Sequence, residues 1–386
     1  MPARQASNHR SRGRRGPDAD TSCYERQVTE TLARSTTLGV GGRPLRSVRV
    51  SSDHELELAV AEAQRAGLPV LVLGGGSNLV VADDQINGCV VEMRIQGLTF
   101  GSSPPNLQSP TETVIVGAGE VWDDFVAAAC ARDLSGVECL SGIPGSVGAT
   151  PIQNVGAYGQ EVADTIKWVE AFDLQSSRFE QIPASACEFA YRSSRFKHRE
   201  AGRWVVTRVA FELVRGGAPK LSYGELQRAA DKLPELTLAS VRQLVIELRR
   251  GKSMVLDTKD PNGRSCGSFF TNPIVADELA LSIADRAATL GYGKPPSFPQ
   301  GNGMSKLSAG WLIERAGLAK GTREGNVGLS TKHTLAIVAH ADASAAEVVR
   351  FAWRVRETVE AFWGVRLVPE PVFWGFGTLE DGLPQR

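Results

Sequence analysis

Long apolar runs are missing from this 386-residue chain. No stretch approaches the roughly 20 consecutive apolar residues of a membrane helix, so no membrane span or membrane partner is expected. Net charge is missing as well: 43 lysines and arginines balance 43 aspartates and glutamates. That argues against holding nucleic acid or a membrane surface through bulk electrostatics, while leaving room for a local basic pocket. Metal spacing is absent among the five histidines, His9, His54, His198, His333 and His340. The six cysteines, Cys23, Cys89, Cys130, Cys139, Cys187 and Cys266, form no CxxC pair. Most sit among apolar neighbours, as buried free thiols do, which predicts a reduced, cytosolic protein with no metal. No Ser-His-Asp order with a nucleophile elbow occurs, so hydrolysis through such a nucleophile is disfavoured.

Residues 1–24 differ from the rest. They carry Arg4, Arg10, Arg12, Arg14 and Arg15 with almost nothing apolar and no signal-peptide core. They read as a disordered basic tail rather than a nucleic-acid arm. Beyond them, 42% apolar and 22% charged residues allow sizeable cores, and the length suits two or three domains.

From Arg46 an alternating strand leads to Ser52, which forms a capping box with Glu55 ahead of a helix stopped by Gly67. A buried strand follows, then Gly74-Gly75-Gly76-Ser77-Asn78, then a second apolar strand. In a Rossmann fingerprint the glycines open a helix; here they lead into Leu79, Val80 and Val81, which argues against that fold. A second strand, glycine turn and helix place Trp122, Phe125, Val126 and Ala129 on one face. Next comes a loop dense in glycine, from Gly142 through Ile143, Pro144, Gly145, Ser146, Gly148 and Ala149 to Gln153, Asn154, Gly156 and Ala157. Strands resume over 166–174, 179–184 and 203–214, and helix–strand alternation follows Gly216-Gly217. A long amphipathic helix over 344–364 precedes a final strand, 365–375.

Glycine permits the backbone angles of a concave amide nest, so the two loops are candidates for one extended dinucleotide. Taken singly, such loops are mostly turns. Tyr191 and Arg192 stand together, with Arg195 and Lys197 following, in a segment that equally suits a solvated strand end. Ser268 lies between Gly267 and Phe269-Phe270, where a hydroxyl can simply cap a turn. Glu370 lies between Pro369 and Pro371 among apolar residues, and a carboxylate buried there needs a partner such as arginine.

In order, VLGGGSNLVVAD, GIPGSVGATPIQNVGAYGQEV, AYRSSRFK, GSFFTNP, LSAGWLIERAGL and PEPVFWG resemble the UDP-N-acetylenolpyruvoylglucosamine reductase (UDP-N-acetylmuramate dehydrogenase) family, over about Thr36 to Gly375. The resemblance implies an α+β chain: a two-subdomain FAD-binding domain of the vanillyl-alcohol-oxidase type, plus a C-terminal α+β substrate-binding domain. The expected division is 25–95 and 96–217 for the subdomains, 218–362 for the substrate domain, and 363–386 for a strand carrying Glu370 and a tail. It implies noncovalent FAD at Gly74–Asn78 and along Gly142–Ala157, with NADPH as reductant. The reaction implied is reduction of UDP-N-acetylglucosamine enolpyruvate in peptidoglycan precursor synthesis, by a cytoplasmic monomer. Arg192, Ser268 and Glu370 match the family's catalytic trio, and Tyr191, Tyr223, Lys252, Asn272 and Gln300 fall at substrate contacts. On that assignment Arg192 stabilises developing carboxylate charge and Ser268 supplies a proton, while Glu370 either donates to that charge or orients Arg192. Departures are Thr36-Thr37-Leu38 in place of Asn-Thr-Phe, Thr271 where lysine is common, and a longer loop between Lys252 and Ser268. An oxidase of the same flavin fold is disfavoured, because no histidine stands near the first glycine loop to tether the cofactor. A noncatalytic nucleotide-sugar binder would have no need of the proton donor.

Overall fold

The computed structural model describes residues 30–101 and 110–385; the arginine-rich start, with His9 and Cys23, lies outside the described residues. The first unit holds β1 (Pro44–Val50), α1 (Asp53–Arg65), β2 (Val70–Leu73), β3 (Leu79–Val81) and β4 (Ile86–Met93). β1, β4 and β2 form a parallel sheet in that order, and α1 buries Leu56, Ala59, Val60 and Ala63. The expected cap is shifted by half: Ser52 Oγ accepts the Glu55 N–H at 3.2 Å, but the Glu55 carboxylate takes the N–H of Ser51. β2 was expected to be buried, yet Val70, Leu71 and Val72 stay partly exposed because the strand borders a cavity.

The second unit contains β5 (Leu98–Phe100), β6 (Thr111–Gly117), α2 (Trp122–Ala131), β7 (Leu134–Ser135), β8 (Gly156–Ala157), β9 (Gln160–Glu161), β10 (Ile166–Asp173), β11 (Arg178–Pro183) and β12 (Trp204–Arg215). Its antiparallel sheet runs β11-β10-β12-β6-β5, with β7 on β12. α2 lays Trp122, Phe125, Val126 and Ala129 against this sheet, the face its 3.6-residue period predicts. Burying Phe125 or Val126 contributes about 1.5–3 kcal/mol each, and the methyl of Ala129 less. The glycine-dense loop folds into short 3₁₀ turns and the β8–β9 hairpin, with no long element.

α3 (Gly224–Ala230), only seven residues long, shows no readable period in the sequence; α4 (Leu238–Arg250) was expected. Leu226 of α3 and Val241 and Val245 of α4 pack with Cys139. Arg242 of α4 makes a two-pronged pair with Asp123 of α2, at 2.6 and 2.8 Å. This segment, grouped from sequence with the third region, therefore packs on the second unit.

The C-terminal unit comprises β13 (Ser265–Ser268), β14 (Ile274–Ala276), α5 (Asp277–Thr289), β15 (Ser297–Gly301), β16 (Met304–Leu307), α6 (Ala309–Arg315), β17 (Arg323–Glu324), β18 (Val327–Leu329), β19 (Ala336–Ala339), α7 (Ala345–Trp363), β20 (Val372–Trp374), β21 (Leu379–Glu380) and β22 (Leu383–Pro384). Its sheets run β13-β19-β18-β17 and β14-β16-β15. α7 opens with a Ser344–Glu347 capping box and ends at Gly364, whose φ of 68° suits glycine. The expected final strand shrinks to β20, because Pro369 and Pro371 lack the N–H a ladder requires.

Two contacts join this unit to the first. β20 pairs in parallel with β3, Val372 opposite Leu79 and Trp374 opposite Val81. Asp83, just past β3, accepts the N–H groups of Ala345 and Ala346 at 2.8 and 3.1 Å and so caps α7. Fully buried Arg356 of α7 donates to the carbonyls of Leu367, Glu380 and Asp381, which fixes the strap leading to Glu370.

Candidate active site

The two glycine loops interlock. A Cβ on Gly75 would stand 2.7 Å from Gly145 Cα, so Gly75 needs glycine for backbone to pass backbone, while Gly145 needs it for a φ of 131°. Ser77 Oγ donates to the Pro144 carbonyl at 2.8 Å across the same contact. Beside them opens a cavity of about 510 Å³, within the range of small-molecule sites.

All five residues of the first loop line it, as do Ile143, Pro144, Gly145, Ser146, Ala149, Gln153 and Gly156 of the second. Arg192, Ser268 and Glu370 line it too. Four expected cofactor residues do not. The Gly142 N–H is taken by Asp123, whose carboxyl is held below the usual range: burial opposes this, but the Arg242 fork and that N–H prevail. Gly148 packs against Ala118, and Ala157 pairs with Gln160 in the hairpin. Asn154 is fully engaged in the fold, accepting the Ala163 N–H and donating to Glu161 and to the Ala190 carbonyl.

Backbone pairing gathers the trio. Glu370 N–H donates to the Phe269 carbonyl at 2.8 Å, next to Ser268, and Val372 N–H donates to the Asn78 carbonyl at 3.0 Å. The Glu370 carboxylate accepts from Gln153 Nε2 at 3.2 Å, and Gln153 Oε1 accepts from Asn78 Nδ2 at 3.0 Å. Arg192 Nε lies 3.0 Å from Glu370 Oε1, close enough for an ion pair, but its N–H is not aimed at that oxygen. Arg192 Nη2 instead donates to the Gly156 carbonyl at 2.9 Å. Arg192 occupies a left-handed conformation, φ 52°, at the tip of the Ala190–Ser193 turn.

The substrate candidates lie outside the cavity wall, in two groups with Gln300 apart from both. Lys252 pairs with Glu225 and sits 5.5 Å from the ring centre of Tyr158, against which Tyr223 packs edge-on. Tyr158, missed in the sequence, has its hydroxyl pKa pushed up to about 12 by burial. Tyr191 accepts the Asn272 N–H under the Lys306 ammonium, while Asn272 Oδ1 takes the Ala309 N–H at the start of α6. Gln300 is exposed and donates to carbonyls of its own strand.

Arg249 and Lys197 also line the cavity, and sequence reasoning missed them as wall residues. Burial drives the Arg249 pKa down to about 10; its Nη2 donates to the Met254 carbonyl at 2.7 Å, while its Nε has no partner in the fold. A backbone-rich cradle, apolar walls and a guanidinium with one unpartnered N–H fit an elongated anionic cofactor such as FAD. No histidine lines the wall, and burial pushes the wall thiol Cys266 up to about 12. Among the described residues, no helix is long and apolar enough to cross a membrane, and no cluster could hold a metal. The five described cysteines are free and buried.

Two α+β units meeting at interlocked glycine loops, closed by a further α+β unit that delivers Ser268 and Glu370, define a flavoprotein oxidoreductase. Residues 44–178 match the family model of an FAD-binding domain, and residues 259–374 that of the UDP-N-acetylenolpyruvoylglucosamine reductase C-terminal domain. The chain belongs to the UDP-N-acetylenolpyruvoylglucosamine reductase family. It is 47% identical to the reductase of that name from Thermobifida fusca, over 92% of this chain and 99% of the relative. It is 44% identical to the one from Streptomyces coelicolor, over 89% of each chain. The crystal structure of the Thermus caldophilus reductase superposes with a TM-score of 0.59 at 27% identity, covering 89% of this chain and 97% of that one. The expected arrangement, an FAD-binding domain followed by a C-terminal domain, holds.

Proposed function

We propose that this protein reduces UDP-N-acetylglucosamine enolpyruvate to UDP-N-acetylmuramate with NADPH, through noncovalently held FAD. The observation that carries the reading is the meeting of Arg192, Ser268 and Glu370 at one cavity beside the glycine loops. FAD held there would supply the hydride chemistry that links NADPH to the enolpyruvyl double bond. The chain's own groups supply the rest. The Arg192 guanidinium faces the substrate carboxylate and stabilises the charge that moves onto it. Ser268 Oγ–H delivers the proton to the adjacent carbon. Glu370 orients Arg192, a role supported by their 3.0 Å separation and by the Gln153 amide that steadies the carboxylate.

Gly74–Asn78, Ile143–Ser146, Ala149, Gln153 and Gly156 are the residues assigned to the cofactor, with Arg249 on its anionic part. Lys252 and Tyr223, near Tyr158, are assigned to the sugar nucleotide's phosphates, and Tyr191, Asn272 and Gln300 to its other end. On this reading the FAD-binding part extends through α4, and the site is built within one chain acting as a cytoplasmic monomer.

An anaerobic experiment tests the function. NADPH should bleach the flavin band, and UDP-N-acetylglucosamine enolpyruvate should restore it faster than oxygen does. A band that recovers only with oxygen refutes the reading. Acid precipitation should release the flavin into the supernatant.

A further inference from the structure

The turn that carries Arg192 is strained. Ala190 and Ser193 exchange backbone hydrogen bonds of 3.1 and 3.0 Å, placing Arg192 at the position where a type II turn takes glycine. A left-handed arginine persists only where its surroundings over-determine it. Two side chains hold this turn, one at each carbonyl. Asn154 Nδ2 donates to the carbonyl of Ala190 at 3.1 Å, and Lys197 Nζ donates to that of Arg192 at 3.3 Å. Asn154 is spoken for by Glu161 and Ala163, so its contact belongs to the fold.

Lys197 is different. It lines the cavity with Arg192 and Glu370, and the Arg192 carbonyl is the hydrogen-bond acceptor the structure gives its ammonium. Its backbone is fixed separately, through the Lys197 N–H to Ser194 and the Ser194 hydroxyl to the Ile152 carbonyl at 2.5 Å. Burial lowers its pKa below the usual lysine value; Glu370 opposes that shift and Arg192 adds to it. Drawing an ammonium out of water toward a neutral acceptor costs stability, so the contact is not one that folding alone favours.

We propose that Lys197 is a positioning residue of the reductase site: by holding the Arg192 carbonyl it fixes the strained turn that aims the guanidinium at the substrate carboxylate. The inference rests on the function proposed above. Without the ammonium the turn relaxes and the guanidinium swings off the substrate, while the glycine loops that hold the flavin stay in place. The defect therefore falls on reoxidation by the enolpyruvyl substrate, not on flavin reduction.

The test is stopped-flow measurement of both half-reactions on flavin-loaded wild type, Lys197→Met and Lys197→Arg. Lys197→Met should bind flavin fully and bleach with NADPH within about twofold of wild type. At saturating substrate its reoxidation should slow by on the order of tenfold to a hundredfold, the usual effect of a small misplacement of a reacting group. Lys197→Arg, which keeps a cationic donor, should recover most of that loss. Reoxidation of Lys197→Met at the wild-type rate overturns the proposal. So does equal slowing of both half-reactions or loss of flavin, since either marks a merely structural lysine. Failure of wild type itself to reoxidise with the enolpyruvyl sugar would refute the function, a result separable from any variant's.

Discussion

Replacing Gly75 with alanine probes the contact between the two glycine loops most directly. The new methyl would lie 2.7 Å from Gly145 Cα and 3.1 Å from its carbonyl carbon, and both obstacles are backbone. Gly75 is not among the glycines with positive φ, so alanine there meets no left-handed strain and the clash sets the cost. Relieving it requires the loops to part by about half an ångström or more, an overpacking that costs roughly 1–3 kcal/mol. Parting them also strains the Ser77–Pro144 hydrogen bond, worth about 1 kcal/mol. The total is about 2–4 kcal/mol, concentrated at the cofactor cradle. Gly75→Ala should therefore purify with substoichiometric flavin, read from the visible-to-ultraviolet absorbance ratio. It should also unfold at lower urea concentration, followed by tryptophan fluorescence. The reasoning fails if the variant keeps one flavin per chain and an unchanged urea midpoint.

Ser268→Ala should leave bleaching by NADPH nearly intact while slowing reoxidation by the enolpyruvyl sugar by about 10²–10⁴-fold; equal effects on both half-reactions would exclude a proton-donor role. Asp83→Ala removes the two hydrogen bonds that Asp83 adds to the Ser344 cap of α7 and should lower stability in urea by about 0.5–2 kcal/mol, whereas Asp83→Asn should retain part of that contribution. Burial, helped by Lys252 and Lys320, lowers His333 from its ordinary value to about 4. The unfolded chain therefore takes up this proton first as pH falls, so the contribution is full above about pH 6.5 and lost progressively toward pH 4. Urea midpoints measured across that window should fall less steeply in His333→Gln than in wild type.

Local signals were readable in the sequence where period or turn chemistry fixed them. The buried face of α2, the long amphipathic helix α7 and the entry of the first glycine loop into a strand all follow from neighbours a few residues apart. The trio and its fold class came through family resemblance; apart from that, Ser268 and Glu370 were weak signals, since their roles depend on a ladder between distant segments. Gly142 and Asn154 looked like cradle residues by composition, yet Asp123 and Glu161 engage them, a competition no local pattern reveals. α3 is too short to show a period. Lys197 passed for part of a solvated basic run, because its function depends on the left-handed turn at Arg192, a position where glycine would have been the expected signal.

The pairing of β20 with β3 ties the active site to the far end of the chain. Glu370 and Asn78 touch although 292 residues separate them, so this contact closes one of the longest loops in the protein. The interlocked loops and the sheets around them use residues that precede β13, and they can form before that closure. The carboxylate beside Arg192 arrives only when the C-terminal unit has folded and docked its strand on the first. Completion of the active site thus reports completion of the fold: a molecule whose C-terminal unit has not docked holds its cofactor cradle without Ser268 or Glu370 over it.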